Sequence, residues 1–311
     1  MNIVPIVFAF DNNLTFPACI CISSLMMNAN ADTFYDIFIL NSKKDNIDRK
    51  QLDKIPFYYN NCRIQYRYVD NTFDSSFEIR GITTSAYYRL LIPELIPEYD
   101  KIIYSDVDVI FRSDLFSIFN STNLKGYYFA GVNSLSYLIP EYNEYYKKIG
   151  LDSFKIIYSG NLIINSKDIL NDGIITEFKK HANKNYKFQD MDIINIVCRD
   201  KIKYLPPEFC LTTFISQWLV YDIKKLYNMW SKDEIEKTKK NGLIHYNGQK
   251  PWKGYCVNFD IWWEYYRKSP FFDEKFYFDF FYSRLNELDR LSLWKRVKIL
   301  IRYFVYGKRN I

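Results

Sequence analysis

Two carboxylates, Asp106 and Asp108, stand one residue apart just beyond the short apolar run Lys101-Ile102-Ile103-Tyr104. Groups this acidic at the end of a buried strand require a partner. A divalent cation would serve, and hard oxygen donors suit Mg²⁺ or Mn²⁺, whose remaining ligands would be phosphate oxygens. The spacing alone says little: about one Asp-x-Asp is expected by chance in such a chain, and Asp190-Met191-Asp192 is a second. A further group lies far downstream in His245-Tyr246-Asn247-Gly248-Gln249-Lys250-Pro251-Trp252. An imidazole can complete the coordination of a metal held by two carboxylates. Gly248 allows close approach of the backbone to phosphate, and Lys250 offers it a point charge. The alternative is a surface loop with His245 and Lys250 solvated and Trp252 anchored in the core. With only two histidines in the chain, this one beside a Gly and a Lys favours the ligand reading.

These groups need a scaffold, and the first half of the chain alternates strand and helix signals. Residues 3–10 read as a buried strand and 15–28 as a helix with Pro17 in its first turn. A strand follows at 36–40, a helix at 47–55, a strand at 63–69 and a helix at 85–92 stopped by Pro93 and Pro97. Residues 101–105 form the strand that delivers Asp106. Such alternation predicts an α/β fold, a doubly wound and mostly parallel sheet. Ligands of such sheets bind beyond the carboxyl ends of the strands, where both Asp11-Asn12-Asn13 and Asp106-Val107-Asp108 fall. The second half offers a strand at 161–164, helices at 174–182 and 190–198, and an aromatic, helical region from 259 to 281. Met191 and Ile194 read as core, and Asp190 and Asp192 could be no more than acids favoured by a helix start.

Composition narrows the class. The 311 residues are 48% hydrophobic and 19% aromatic, ample for a core. No run of 18 apolar residues spans a membrane, and the opening segment lacks the basic start of a signal peptide. Six cysteines without Cys-x-x-Cys spacing read as free thiols and predict a cytoplasmic protein. The net charge of +6 resides entirely in residues 291–311, which hold six cations and no acid. A neutral body argues against a nucleic-acid-binding surface. In the tail, Leu293, Trp294, Val297, Leu300, Ile301 and Phe304 form an apolar stripe opposite Lys295, Lys298 and Arg302. That pattern predicts attachment to an anionic membrane surface. Packing on the body of the protein is the alternative.

Six motifs occur in order: Phe8-Ala9-x-Asp11-x-Asn13, Thr84-x-x-x-x-Arg89-Leu90, Tyr104-x-Asp106-x-Asp108, Ser159-Gly160-x-Leu162-Ile163-Ile164-Asn165, Gln189-Asp190-x-Asp192-Ile193-x-Asn195 and the His245 block. Through them the chain resembles glycosyltransferase family 8, retaining enzymes of GT-A fold that include bacterial lipopolysaccharide galactosyl- and glucosyltransferases. The resemblance implies a GT-A catalytic domain over residues 1–255, with a nucleotide-sugar half to about 110 and an acceptor half beyond it. Residues 256–311 would be a helical, aromatic extension with the basic tail. It implies that Ala9, Asp11 and Asn13 contact uridine, that Asp106 and Val107 lie at the nucleotide, and that Asp106, Asp108 and His245 hold Mn²⁺ or Mg²⁺. Gly248 and Lys250 would hold the diphosphate, Ser159 and Gly160 would line the sugar pocket, and Arg89 and Asp190 would grip the donor sugar as the catalytic pair. Without the resemblance, Arg89 reads as a structural arginine.

The chain departs from the family pattern at three places. One residue, Gln249, separates Gly248 from Lys250 where the family has two. Leu14 replaces the aromatic that often covers uracil. Met191 replaces a Gln beneath the anomeric carbon, and a thioether is no nucleophile for double displacement, which favours a front-face mechanism. The expected activity is transfer of a hexose from a UDP-sugar to a saccharide of lipopolysaccharide, capsule or another lipid-linked glycan, at the inner face of the plasma membrane. A nucleotidylyltransferase is a rival, but it would need a Gly-rich basic loop that Asp11-Asn12-Asn13 does not supply. A catalytically silent sugar-nucleotide-binding protein would use the same residues.

Overall fold

A computed structural model of the chain describes residues 1–42, 47–73, 84–286 and 290–306. It divides into two compact units, Met1–Pro270 and Phe271–Ile311. The first unit is built on a seven-stranded sheet whose spatial order is β3-β2-β1-β4-β7-β6-β8. These strands are β1 (Asn2–Ala9), β2 (Thr33–Ser42), β3 (Cys62–Val69), β4 (Lys101–Ser105), β6 (Phe129–Asn133), β7 (Ile157–Asn165) and β8 (Ile202–Leu205). Among the described residues, β7 alone runs against the other six. The α/β class and the mostly parallel sheet read from the sequence are therefore present. A second, three-stranded sheet joins β5 (Val109–Ile110), β10 (Ile244–His245) and β9 (Leu211–Thr212), with β10 in the middle.

The strands of the sheet centre are buried on both faces, as parallel sheets require. In β1 the residues from Val4 to Phe8 are buried, and Ile37, Phe38, Ile39 and Leu40 of β2 are fully so. Asp36 sits among them and keeps its charge through Arg63, Tyr99 and Gln65, at 2.6 to 2.9 Å. The Thr15–Met27 helix is apolar all round and buried along nearly its whole length. Phe16 at its start meets Trp262 and Tyr266 edge-on, which ties the Phe259–Lys268 helix into the first unit. The second unit holds the helices Glu274–Leu285 and Leu293–Tyr306.

Two of the expected helices take other forms. Residues 47–55 make two separate turns, Arg49–Leu52 and Ile55–Tyr58, because Pro56 has no N–H and fits the first turn of a new segment. The segment expected as a helix over 85–92 is a 3₁₀ helix, Thr84–Leu91, and Pro93 opens the next turn, Ile92–Leu95, instead of ending it. The strand expected at 161–164 is longer, from Ile157 to Asn165. Its added residues are the ones that reach the site.

Candidate active site

The direction of β7 sets the geometry. Because β7 is antiparallel to β4, Ser105 pairs with Asn161, and the residues entering β7 lie beside those leaving β4. The Asp106 amide donates to the Gly160 carbonyl at 2.8 Å, and the Asn161 side chain donates to Ser105 Oγ at 2.9 Å. On the other side, β1 leaves the sheet at the same edge, Val7 pairing with Tyr104. Beyond it Asp11 accepts from the Asn13 amide at 2.9 Å and caps the 3₁₀ turn Asn12–Leu14. Ala9 and Val107 are buried at the ends of their strands. A cavity of about 610 Å³ opens beside Asn12 at the carboxyl ends of β2 and β3, lined in part by Asn41, Arg49, Lys50 and Tyr68.

The second sheet delivers the distant histidine. In β10, His245 pairs with Val109 of β5 and with Thr212 of β9. The Tyr246 amide donates to the Asp108 carbonyl at 2.8 Å, which fixes the two motifs against each other. His245 Nε2 then lies 3.0 Å from Asp108 Oδ1 and 3.5 Å from Asp106 Oδ2. It makes a hydrogen bond of good geometry to neither. One donor atom from each of Asp106, Asp108 and His245 falls within 4.8 Å of the others. Two carboxylate oxygens and an imidazole nitrogen, converging with Nε2 aimed between the acids, fit a hard or borderline divalent cation. The group could thus hold a metal of the Mn²⁺ or Mg²⁺ kind.

Arg89 is the hub on the other side of Asp106. Its 3₁₀ segment buries it to 6% exposure, where it stays charged by binding two acids. Nη2 donates to Asp106 Oδ1 at 2.9 Å and Nη1 to the Ser159 carbonyl at 2.6 Å, while Nε lies 3.2 Å from Asp190 Oδ2. The guanidinium also lies over the Tyr104 ring, 4.3 Å from its centroid, and the Tyr104 hydroxyl donates to the same Asp106 oxygen at 2.7 Å. Burial would drive the Arg89 pKa down, but Asp106 and Asp190 outweigh it and raise it. Burial raises the Asp190 carboxyl above its ordinary range, with Arg89 and Ser159 pulling the other way. Asp108 shows the reverse balance: burial opposes its charge, yet Lys250 and His245 hold it well below the usual carboxylate range.

The expected site residues thus divide. Arg89, Asp106, Asp108, Ser159, Gly160, Asp190, His245 and Lys250 form one connected group. Lys250 is bonded to Asp108 and donates to the Tyr246 carbonyl at 2.7 Å. The Gly248 amide is already given to Thr213 Oγ1 at 3.2 Å. Asp11 and Asn13 share the sheet edge with this group, and no direct bond joins them to it among the described residues. Met191 packs into an apolar cluster with Tyr146, Leu151 and Ile156, in keeping with a core side chain. Asp192 lies beside that cluster, fully buried, accepting from the Tyr145 hydroxyl at 2.6 Å and the Phe188 amide at 2.9 Å.

Sequence reasoning missed several members. Tyr158 packs its ring edge-on to His245 at 5.2 Å, and Thr213 ties the His245 block down through Asn247 and Gly248. Cys210 lies with its Sγ 3.8 Å from His245 Nδ1. Two-residue strands carry no periodicity, so nothing in the sequence announces β9 or the cysteine before it.

The sequence pattern of glycosyl transferase family 8 matches residues 5–256. A Haemophilus influenzae protein named provisionally as a glycosyltransferase is 27% identical over 218 residues, 68% of this chain and 63% of that relative. General stress protein A of Bacillus subtilis is 24% identical over 82% of this chain and 85% of its own length. Among solved structures, the galactosyltransferase LgtC, in complex with donor and acceptor sugar analogs, superposes with a TM-score of 0.68 at 20% identity, over 88% of this chain and 99% of that one. The bifunctional glycosyltransferase WbbM gives a TM-score of 0.71 at 22% identity, and this chain spans about half its length, 51%. These likenesses extend to the fold: the arrangement is that of the GT-A enzymes.

Proposed function

The chain belongs to glycosyl transferase family 8 and is a glycosyltransferase, and from that membership we propose that it moves a hexose, glucose or galactose, from a UDP-sugar to a saccharide with retention of configuration. The observation that carries this reading is the joining of two clusters through one residue. Asp106 faces His245 and Asp108 with one oxygen and Arg89 with the other. A diphosphate at the first cluster would place its sugar toward the second.

On this reading Asp106, Asp108 and His245 would hold a divalent cation, which would supply a counter-charge for leaving UDP. Lys250 supplies a second counter-charge from beside Asp108. Gly160 leaves room for the imidazole, and Arg89 and Asp190 orient the sugar hydroxyls. Asp11 and Asn13, with Ala9 and Val107 behind them, receive the nucleoside toward the cavity beside Asn12. Ser159 and Gly160 line the sugar pocket. Met191, buried among apolar side chains, provides no nucleophile, so the leaving phosphate itself helps to deprotonate the acceptor hydroxyl on the front face.

The acceptor side is where the apolar Thr213–Tyr221 helix leaves the site. Phe214 and Trp218 stack 6.0 Å apart on it, and Phe214, Val220 and Tyr221 are exposed. An aromatic shelf of this kind suits the apolar face of a pyranose. The acceptor would be a glycan of lipopolysaccharide, capsule or another lipid carrier, met at the inner face of the plasma membrane. The Leu293–Tyr306 helix supports that location, with Trp294 and Phe304 exposed and Lys295, Arg296, Lys298 and Arg302 along it. Lys308 and Arg309 lie outside the described residues. No helix among the described residues is long and apolar enough to cross a membrane.

The test is UDP release from UDP-glucose, UDP-galactose and UDP-N-acetylhexosamines with and without Mn²⁺, alongside calorimetry on Asp108→Asn. Mn²⁺-dependent release from one donor, and loss of UDP-dependent metal binding in the variant, are expected. UDP and Mn²⁺ affinities unchanged in Asp108→Asn would overturn the metal assignment.

A further inference from the structure

A histidine that ligates a metal through Nε2 must carry its proton on Nδ1, and the partner of Nδ1 holds that tautomer. In most such sites the partner is a carboxylate or a backbone carbonyl, which can only accept. Here it is a thiol. Cys210 is fully buried, its Sγ 3.8 Å from His245 Nδ1, and no other hydrogen-bond partner of Nδ1 is found among the described residues. The cysteine owes its place to backbone pairing. Its amide is held by the Pro207 carbonyl, and the next residue, Leu211, enters β9 beside Ile244. The imidazole is clamped on its other sides. Its Nε2 faces Asp106 and Asp108, its Cε1 stands over Gly160, and the Tyr158 ring meets it edge-on.

The geometry points to Cys210 as the positioning residue of the metal site: its sulfur takes the Nδ1 side of the imidazole and so holds Nε2 toward Asp106 and Asp108. A thiol sulfur is a weak acceptor, and an Nδ1–H directed at it leaves Nε2 to face Asp106 and Asp108. This role rests on Asp106, Asp108 and His245 being the metal site.

The test compares wild type, Cys210→Ala and Cys210→Ser. Mn²⁺ affinity is measured in the presence of UDP by the resonance of the free ion, with thermal melting in parallel. Imidazole ¹⁵N shifts are recorded with and without Mg²⁺ and UDP, His181→Gln serving to assign the two rings. Cys210→Ala is expected to weaken Mn²⁺ binding by about tenfold, and Cys210→Ser, whose hydroxyl also donates and accepts, to stay near wild type. With Mg²⁺ and UDP present, the His245 proton should sit on Nδ1. Equal Mn²⁺ affinity in wild type and Cys210→Ala overturns the proposal. So does an equal loss in both variants, which would mark a packing role, or a His245 proton found on Nε2 with Mg²⁺ and UDP present. Wild-type protein that binds no Mn²⁺ at all refutes the metal assignment itself.

Discussion

Gly160 and His245 occupy the same space to within a single atom: a Cβ on Gly160 would stand 2.2 Å from the imidazole Cε1. It would also meet Tyr158 Cε1 at 2.7 Å and Asp106 Oδ2 at 2.8 Å. The glycine is needed for this close approach and not for its backbone angles. Gly160→Ala must therefore push His245 or Asp106 aside. Overpacking of this kind costs about 1–3 kcal/mol of stability, a fall that melting would register. The larger effect is expected on the metal: Mn²⁺ titration should show affinity reduced far more than the modest loss of stability implies. Unchanged affinity would mean that the imidazole is no ligand.

Asp190 and Met191 are neighbours in opposite surroundings, one beside Arg89 and the other among apolar side chains. Asp190→Asn removes the second acid from Arg89 and leaves it with Asp106 alone, so transfer should fall by at least about a hundredfold, a loss on the scale of a transition-state contact. Met191→Leu keeps the volume of the apolar cluster and should cost less than about 1.5 kcal/mol of stability, with most activity retained. Initial rates for the two variants, measured beside their melting curves, separate the roles. Near-total loss in both would show that position 191 takes part in the chemistry.

Asp192 gives the protein a pH dependence of its own. Burial pushes this carboxyl up to about 6, with Tyr145 and the Phe188 amide opposing. Because the folded pKa is raised, the folded state holds a proton that the unfolded chain has released. The resulting stability is full below about pH 4 and is lost as pH rises through 6. The contribution is at most about 3 kcal/mol. Asp192→Asn keeps an oxygen to accept both bonds and cannot ionise. Denaturation across pH 4 to 7 should show a flatter profile for the variant. Parallel profiles would indicate that Asp192 titrates in the ordinary range.

Truncation after Arg290 removes the Leu293–Tyr306 helix and the cations beyond it. Co-sedimentation with anionic vesicles should be abolished, since each cation near such a surface contributes about 1 kcal/mol. Activity on a short soluble acceptor should survive, because every proposed site residue lies at or before Lys250. A truncated protein that melts much lower, with full-length protein that ignores vesicles, would assign the tail to packing instead.

Much of the first unit was legible because buried strands and helices repeat at their own periods. The run ending at Tyr104 and the amphipathic helix over 174–182 were both readable in this way. Direction was not legible. The apolar run at 161–164 looks the same whichever way it travels, and only its pairing with β4 shows that Ser159 and Gly160 enter at the site. The 3₁₀ segment bearing Arg89 passed for an α-helix, since its apolar residues fall at spacings that satisfy both. The strands β6 and β8 went unread, as did the two-residue strands that bring Thr212, His245 and Val109 side by side. The chemical motifs were visible by residue type; their supports, Cys210 and Tyr158, were not, because a buried cysteine or tyrosine has no distinguishing pattern until its neighbour is known.

The pairing of β10 with β5 joins Asp108 to a lysine 142 residues away through only two strand positions on each side. Closing so long a stretch of chain is entropically slow and brings little local contact in return. The joining of Asp106 and Asp108 to His245 is therefore expected to form after the central sheet and to open before it. Amide protons at Tyr246 and Leu211 should exchange faster than those of β1, and ligands at the cluster should slow them selectively. Under the proposed reading, donor and cation would act as the final fastening of the fold, and the protein without them should be the less durable form.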